Sequence, residues 1–165
     1  VLAARYALQN YNLQRVAIVD FDVHHGNGTE QIVAGDQRIM LCSSFQHPFY
    51  PHSGAPVLAS NILAVPLEAG ITGDVFREKV QHWFNALSNF QPQLILISAG
   101  FDAHAEDPMA HLRLVEDDYF WISQALRRVA DSCCEGRIVS MLEGGYDLSA
   151  LGRSVVAHLK GLSRP

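Results

Sequence analysis

Five short apolar runs alternate along this chain with longer stretches in which apolar residues return at helical spacing. The runs cover residues 15–23, 38–45, 61–67, 93–99 and 137–142. Most are nearly continuous, the pattern of strands buried on both faces of a parallel sheet rather than of strands with one wet face. Helices are predicted over 1–11, 29–34, 74–89, 116–132 and 148–162. In the fourth of these, Tyr119, Ile122, Leu126 and Val129 fall on one helical face. Asp74 and Asp147 stand where N-caps belong. Strand–helix alternation predicts an α/β domain with right-handed crossovers. Residues 46–60, with Pro48, Pro51 and Pro56, read as a long loop, and such loops in compact domains are often functional.

Composition narrows the class. A chain of 165 residues is long enough for one domain with a sizeable core. Hydrophobic content of 48% and charged content of 18% are those of a soluble globular protein. The net charge of −5, with no basic block, argues against direct nucleic-acid binding. No apolar run reaches the length of a membrane span, and no secretory signal is visible. Cys42, Cys133 and Cys134 are odd in number, which fits reduced thiols in an intracellular, cytoplasmic setting. Cys133-Cys134 reads as a structural pair at a helix end.

In open α/β sheets, ligands bind beyond the C-terminal ends of the strands. The first strand runs into Asp20-Phe21-Asp22-Val23-His24-His25-Gly26-Asn27-Gly28. Strand periodicity would put Asp20, Asp22 and His24 on one face. Two carboxylates and an imidazole gathered there call for a cation. The fourth strand ends in Ser98-Ala99-Gly100-Phe101-Asp102-Ala103-His104, and the fifth in Glu143-Gly144-Gly145-Tyr146-Asp147. Each motif alone has an ordinary reading, as a turn cap or a tyrosine at the edge of the core. Together, Asp22, His24 and Asp102 make an N/O set suited to a catalytic zinc with an open position. Gly144 and Gly145 let the backbone turn so that the Tyr146 phenol can face a developing oxyanion. His47, His52, His82, His111 and His158 read as surface or loop residues. Gly26-Asn27-Gly28 is not a dinucleotide loop, because Gln31 stands where the third glycine belongs, and no G-x-S-x-G elbow occurs.

At these motifs the chain resembles a known family. DFDVHHGNGTE, SAGFDAHAEDP and LEGGYDL are similar to three signature blocks of the zinc-dependent histone deacetylases, in the variant of class II enzymes and bacterial histone deacetylase-like amidohydrolases. ARYAL, Ser43-Ser44, Phe49-Tyr50-Pro51 and the stretch from Asn61 to Pro66-Leu67 agree as well. The resemblance implies the parallel-sheet, three-layer arginase/deacetylase fold, with residues 1–165 matching only about the C-terminal half of the catalytic domain. It implies Asp22, His24 and Asp102 as zinc ligands and Tyr146 as the residue polarising the acyl carbonyl. It also implies a potassium site formed by Asp20, Asp22, His24, Ser43 and Ser44. Tyr50, Met109, Gly144 and Gly145 then line the substrate pocket.

One departure follows from the same comparison. The family's general base is a tandem histidine pair in a block that these residues do not include. His24-His25 is no substitute, since His24 is a ligand and His25 is expected to point to the opposite strand face. Asp20 and Asn27 match residues that support the missing pair. The 165 residues are therefore expected to hold metal and to be catalytically incomplete on their own. The expected substrate is acetyl-lysine in a peptide or an acetylated small amine, and oligomerisation is left open. Two alternatives stand beside this. One is a dinuclear ureohydrolase of the same fold, although Gly26 and His104 occupy the positions where its extra carboxylates belong. The other is a non-catalytic module that binds an acyl ligand or a partner.

Overall fold

The five apolar runs form the strands β1 (Val16–Asp20), β2 (Ile39–Gln46), β3 (Ile62–Leu67), β4 (Ile95–Ala99) and β5 (Ile138–Leu142) in a computed structural model that describes residues 1–163. All neighbouring pairs are parallel, in the order β3-β2-β1-β4-β5. The helices are α1 (Leu2–Asn10), α2 (Asn27–Val33), α3 (Gly73–Val80), α4 (His82–Phe90), α5 (Glu116–Cys133) and α6 (Leu148–Leu162). Alternation along β1 divides the core. Val16 and Ile18 pack with Ala4, Ala7 and Leu8 of α1 and Val33 of α2. Ala17 and Val19 belong to the opposite cluster, with Phe76, Trp83, Tyr119 and Leu126 of α3, α4 and α5. Helices thus cover both faces of the sheet, giving three layers. None of the described helices is long and apolar enough to cross a membrane.

Three local expectations need correction. The helix predicted over 74–89 is two helices, and its N-cap is Thr72 rather than Asp74. Asp74 lies in the first turn instead, where a carboxylate still complements the helix dipole. At the break, His82 Nδ1 donates to the Lys79 carbonyl at 2.9 Å. The apolar stripe of Phe76, Val80, Trp83 and Leu87 continues through it. Asp147 does cap α6, its side chain accepting from Ala150 N at 2.8 Å. β5 is not buried on both faces. It is an edge strand, with Val139 48% and Leu142 61% exposed.

His158 is the third correction. It is buried on α6, with Nδ1 2.6 Å from Ser123 Oγ of α5 and Nε2 2.8 Å from Ser140 Oγ of β5. It ties α6 to both neighbours. Burial pushes its pKa down to about 4. The folded state therefore holds a neutral imidazole, and its contribution is full above the unfolded value near 6.5 and lost as pH falls through about 4. Comparing urea unfolding of the wild type and His158→Asn across this window isolates that contribution. The wild type is expected to lose roughly 3 kcal/mol more than the variant on acidification.

Candidate metal centre

β1 ends at Asp20, so strand alternation does not bring the acidic residues together. Two successive Asx turns do. Asp20 Oδ1 accepts from Asp22 N at 3.1 Å, and Asp22 Oδ1 accepts from His24 N at 2.8 Å. Each carboxylate folds the chain back on itself and ends the ladder. Asp102, just past β4, accepts from Val23 N through Oδ1 at 2.9 Å. Past β5, Gly144 N donates to Asp22 Oδ2 at 2.8 Å. The ends of β1, β4 and β5 are thus joined by carboxylate–amide bonds.

His24 Nδ1 lies 3.0 Å from Asp22 Oδ1 and 3.2 Å from Asp102 Oδ2. Ligand atoms of Asp22, His24 and Asp102 all fall within 4.8 Å of one another, the sole such group among the described residues. Asp102 is 1% exposed, and its Oδ2 is buried without a hydrogen-bond partner. Burial, and then the charge of Asp22, raise its pKa to about 7. Burial likewise pushes Asp20 well above the usual carboxylate range, reinforced by Asp22, Glu143 and Asp102. Asp20, Asp22, His24 and Glu143 border a cavity of about 460 Å³ that also takes in His25, Thr29, Ser98, Gly144 and Tyr146, with no Lys or Arg in its wall. Buried carboxylates whose one basic neighbour is the His24 imidazole are costly, and a cation set between Asp22, His24 and Asp102 would remove the cost. At Gly144 a Cβ would lie 2.0 Å from Asp102 Oδ2 and 2.8 Å from Asp22 Oδ2, so only glycine leaves this cradle open.

A profile described as the histone deacetylase domain matches residues 1–162. The chain belongs to the histone deacetylase family. It is 40% identical over 181 residues to type-2 histone deacetylase 2 of Dictyostelium discoideum, covering 98% of this chain and 10% of that protein. It is 34% identical over 172 residues to the histone deacetylase-like amidohydrolase of Pseudomonas aeruginosa, covering 98% of this chain and 45% of that protein. The structure of the histone deacetylase Clr3 superposes with a TM-score of 0.87 at 28% identity, over 98% of this chain and 29% of that one. The chain spans about half or less of the length of the curated relatives it matches. The parallel sheet between two helical layers is the fold of these deacetylase neighbours.

Around this cluster, Tyr146 lines the cavity on the segment after β5 and is 53% exposed. Burial, and then the charges of Asp102, Asp22 and Asp107, raise its pKa above that of a free phenol. Gly145, with φ +137, sets the preceding turn. Tyr50 meets His24 edge-on at 6.0 Å between ring centres, but Phe49, given no role of its own from the sequence, stacks on His24 at 5.6 Å and 22°. Tyr50 and Met109 are exposed and do not line the cavity described above. Ser43 pairs in register with Asp20, and its buried Oγ has no hydrogen-bond partner. Ser44, also buried, points to the other face of β2. Asn27 opens α2 and is exposed, with no side-chain hydrogen bond among the described residues.

His25 is not on a strand face at all. It is buried, its Nε2 2.5 Å from Glu30 Oε2 and its Nδ1 2.8 Å from Ser53 Oγ. Glu30 Oε1 also accepts from Leu58 N at 3.3 Å. The pair anchors two points of the loop that carries Phe49 and Tyr50. His104 is turned away from the centre: Nδ1 accepts from Glu106 N at 3.1 Å, and Nε2 lies 3.6 Å from Glu116 Oε2.

Proposed function

We propose that this chain supplies the metal-binding and oxyanion-stabilising part of a zinc-dependent amidohydrolase. The reaction is removal of an acetyl or related acyl group from acetyl-lysine, or from an acetylated small amine. The observation that carries the reading is the buried Asp102 Oδ2, without a hydrogen bond and 3.2 Å from His24 Nδ1, grouped with Asp22 and His24 at a cavity whose wall those two share with Tyr146. Deacetylase and amidohydrolase relatives support it. Asp22, His24 and Asp102 would hold the zinc, which when bound supplies Lewis-acid activation of the acyl carbonyl and of water.

The protein's own residues do the rest. Tyr146, kept protonated, donates its phenolic hydrogen to the carbonyl oxygen as negative charge develops there. Gly144 N fixes the orientation of Asp22. Phe49 and Tyr50 pack against the His24 side of the site, and Gly144 belongs to the cavity wall. A potassium ion would sit behind the centre with Asp20, Asp22, His24, Ser43 and Ser44, taking up the free Ser43 Oγ. Of the Ser44 donors, its backbone carbonyl suits that site, since its side chain points away. One zinc fits better than two metals, because Gly26 offers no ligand and His104 is engaged with Glu106 and Glu116. Three free cysteines fit a reducing, cytoplasmic compartment.

The general base is the missing part. The one other histidine on the cavity wall, His25, is committed to Glu30 and Ser53. We therefore assign that role to a tandem histidine pair outside these residues, supported by Asp20 and Asn27. Assaying the 165-residue chain and the full-length protein on an acetyl-lysine peptide tests this. The full-length protein should hydrolyse it with zinc bound, and the 165-residue chain roughly 10²–10⁴-fold more slowly. Equal rates would overturn the assignment of the base. Failure of both to bind zinc would overturn the whole reading.

A further inference from the structure

Tyr146 lies on the irregular segment between β5 and α6, so no helix or strand ladder fixes its backbone. A single buried carboxylate does. Asp107 Oδ2 accepts from Tyr146 N at 2.6 Å and from Asp147 N at 3.2 Å. The other oxygen, Oδ1, accepts from Met109 N at 2.9 Å. Asp107 is 7% exposed and sits on the β4–α5 connection, its own amide bonded to His104 O at 2.9 Å. That connection is itself stiff, because His104 and Leu114 form a parallel bridge within it. The carboxylate therefore refers the phenol-bearing backbone to the same rigid element that begins with Asp102.

From this geometry we infer that Asp107 is a positioning residue for Tyr146, holding the phenol at a fixed reach from the metal ligands while its second oxygen fixes the backbone at Met109. The inference rests on the deacetylase reading for its kinetic consequence, but not for its structural one. Tyr146 is half exposed, so its side chain has little packing to locate it, and the backbone anchor sets where the hydroxyl goes. A misplaced donor of this kind costs as much as about 10²-fold in rate while binding is little changed. Asp107→Asn tests it with minimal change of shape. An amide offers one acceptor and one donor, so it cannot accept from both the Tyr146 and the Met109 amides.

In the full-length protein, Asp107→Asn should lower kcat by roughly 10–100-fold with little change in KM. In a Tyr146→Phe background the same substitution should have almost no further effect on kcat, because its route of action is already gone. Amide hydrogen exchange gives a readout independent of activity. The Tyr146 amide should be protected in the wild type and lose protection in Asp107→Ala, which leaves it no side-chain acceptor. Equal kcat losses from Asp107→Asn with and without the tyrosine hydroxyl would overturn the inference, as would an unprotected Tyr146 amide in the wild type, a result that requires no variant. A wild type with no amidase activity but a protected Tyr146 amide would count against the deacetylase reading and leave the anchoring role in place.

Discussion

Replacing Asp102 with asparagine is expected to abolish zinc binding while leaving the fold intact. The variant keeps an oxygen for the Val23 amide, which Asp102 Oδ1 accepts at 2.9 Å. It also removes a carboxylate that burial and Asp22 hold near a pKa of about 7, so the metal-free protein loses a source of repulsion. Its thermal midpoint without metal should match or exceed that of the wild type. Zinc is another matter. An amide is a poor ligand beside Asp22 and His24, and the loss should exceed the roughly 10–100-fold penalty seen when a residue merely supporting a ligand is changed. In the wild type, zinc at 1,000 times its dissociation constant adds about 4 kcal/mol of stability, and that increment should vanish in the variant. Calorimetric titration and metal content after dialysis measure the first effect, and thermal shift with zinc the second. A variant that binds zinc like the wild type would remove Asp102 from the centre.

The same residues show what a sequence displays and what it conceals. The strands were legible because a parallel sheet covered on both faces demands near-continuous apolar runs, and the inner strands β2, β1 and β4 obey that demand, as largely does the edge strand β3. β5 has the same apolar character but is largely exposed at the edge opposite β3, and hydrophobicity alone does not reveal which strands end a sheet. Asp22, His24 and Asp102 were legible as chemistry, since their residue types and places at strand ends stand out. The means of bringing them together was not. Strand alternation had been extended past Asp20, whereas the Asp20 and Asp22 side chains capture nearby backbone amides and turn the chain. Asp107 was hidden for a different reason. Its partners are backbone N–H groups 39 and 40 residues away, which carry no side-chain signature. His158 was misread because its partners, Ser123 and Ser140, lie on separate elements that only tertiary packing brings to it.

Tyr146→Phe should slow acyl transfer by roughly 10²–10³-fold, the usual loss on removing one oxyanion donor. The substitution deletes only the hydroxyl and keeps the ring, and Asp107 still holds the backbone. Zinc affinity should change little, since Asp22, His24 and Asp102 make up the ligand set without the phenol. KM should change little, because a donor aimed at developing charge strengthens in the transition state rather than in the bound substrate. The loss should also persist across neutral pH. Burial and the charges of Asp102, Asp22 and Asp107 all disfavour the phenolate, so the wild-type phenol stays a donor up to its raised pKa. Steady-state kinetics on an acetyl-lysine peptide separate the possibilities. A fall in kcat with KM and zinc content preserved places the hydroxyl at the reacting carbonyl. A rise in KM alone would make Tyr146 a wall of the pocket and leave the developing oxyanion to the metal.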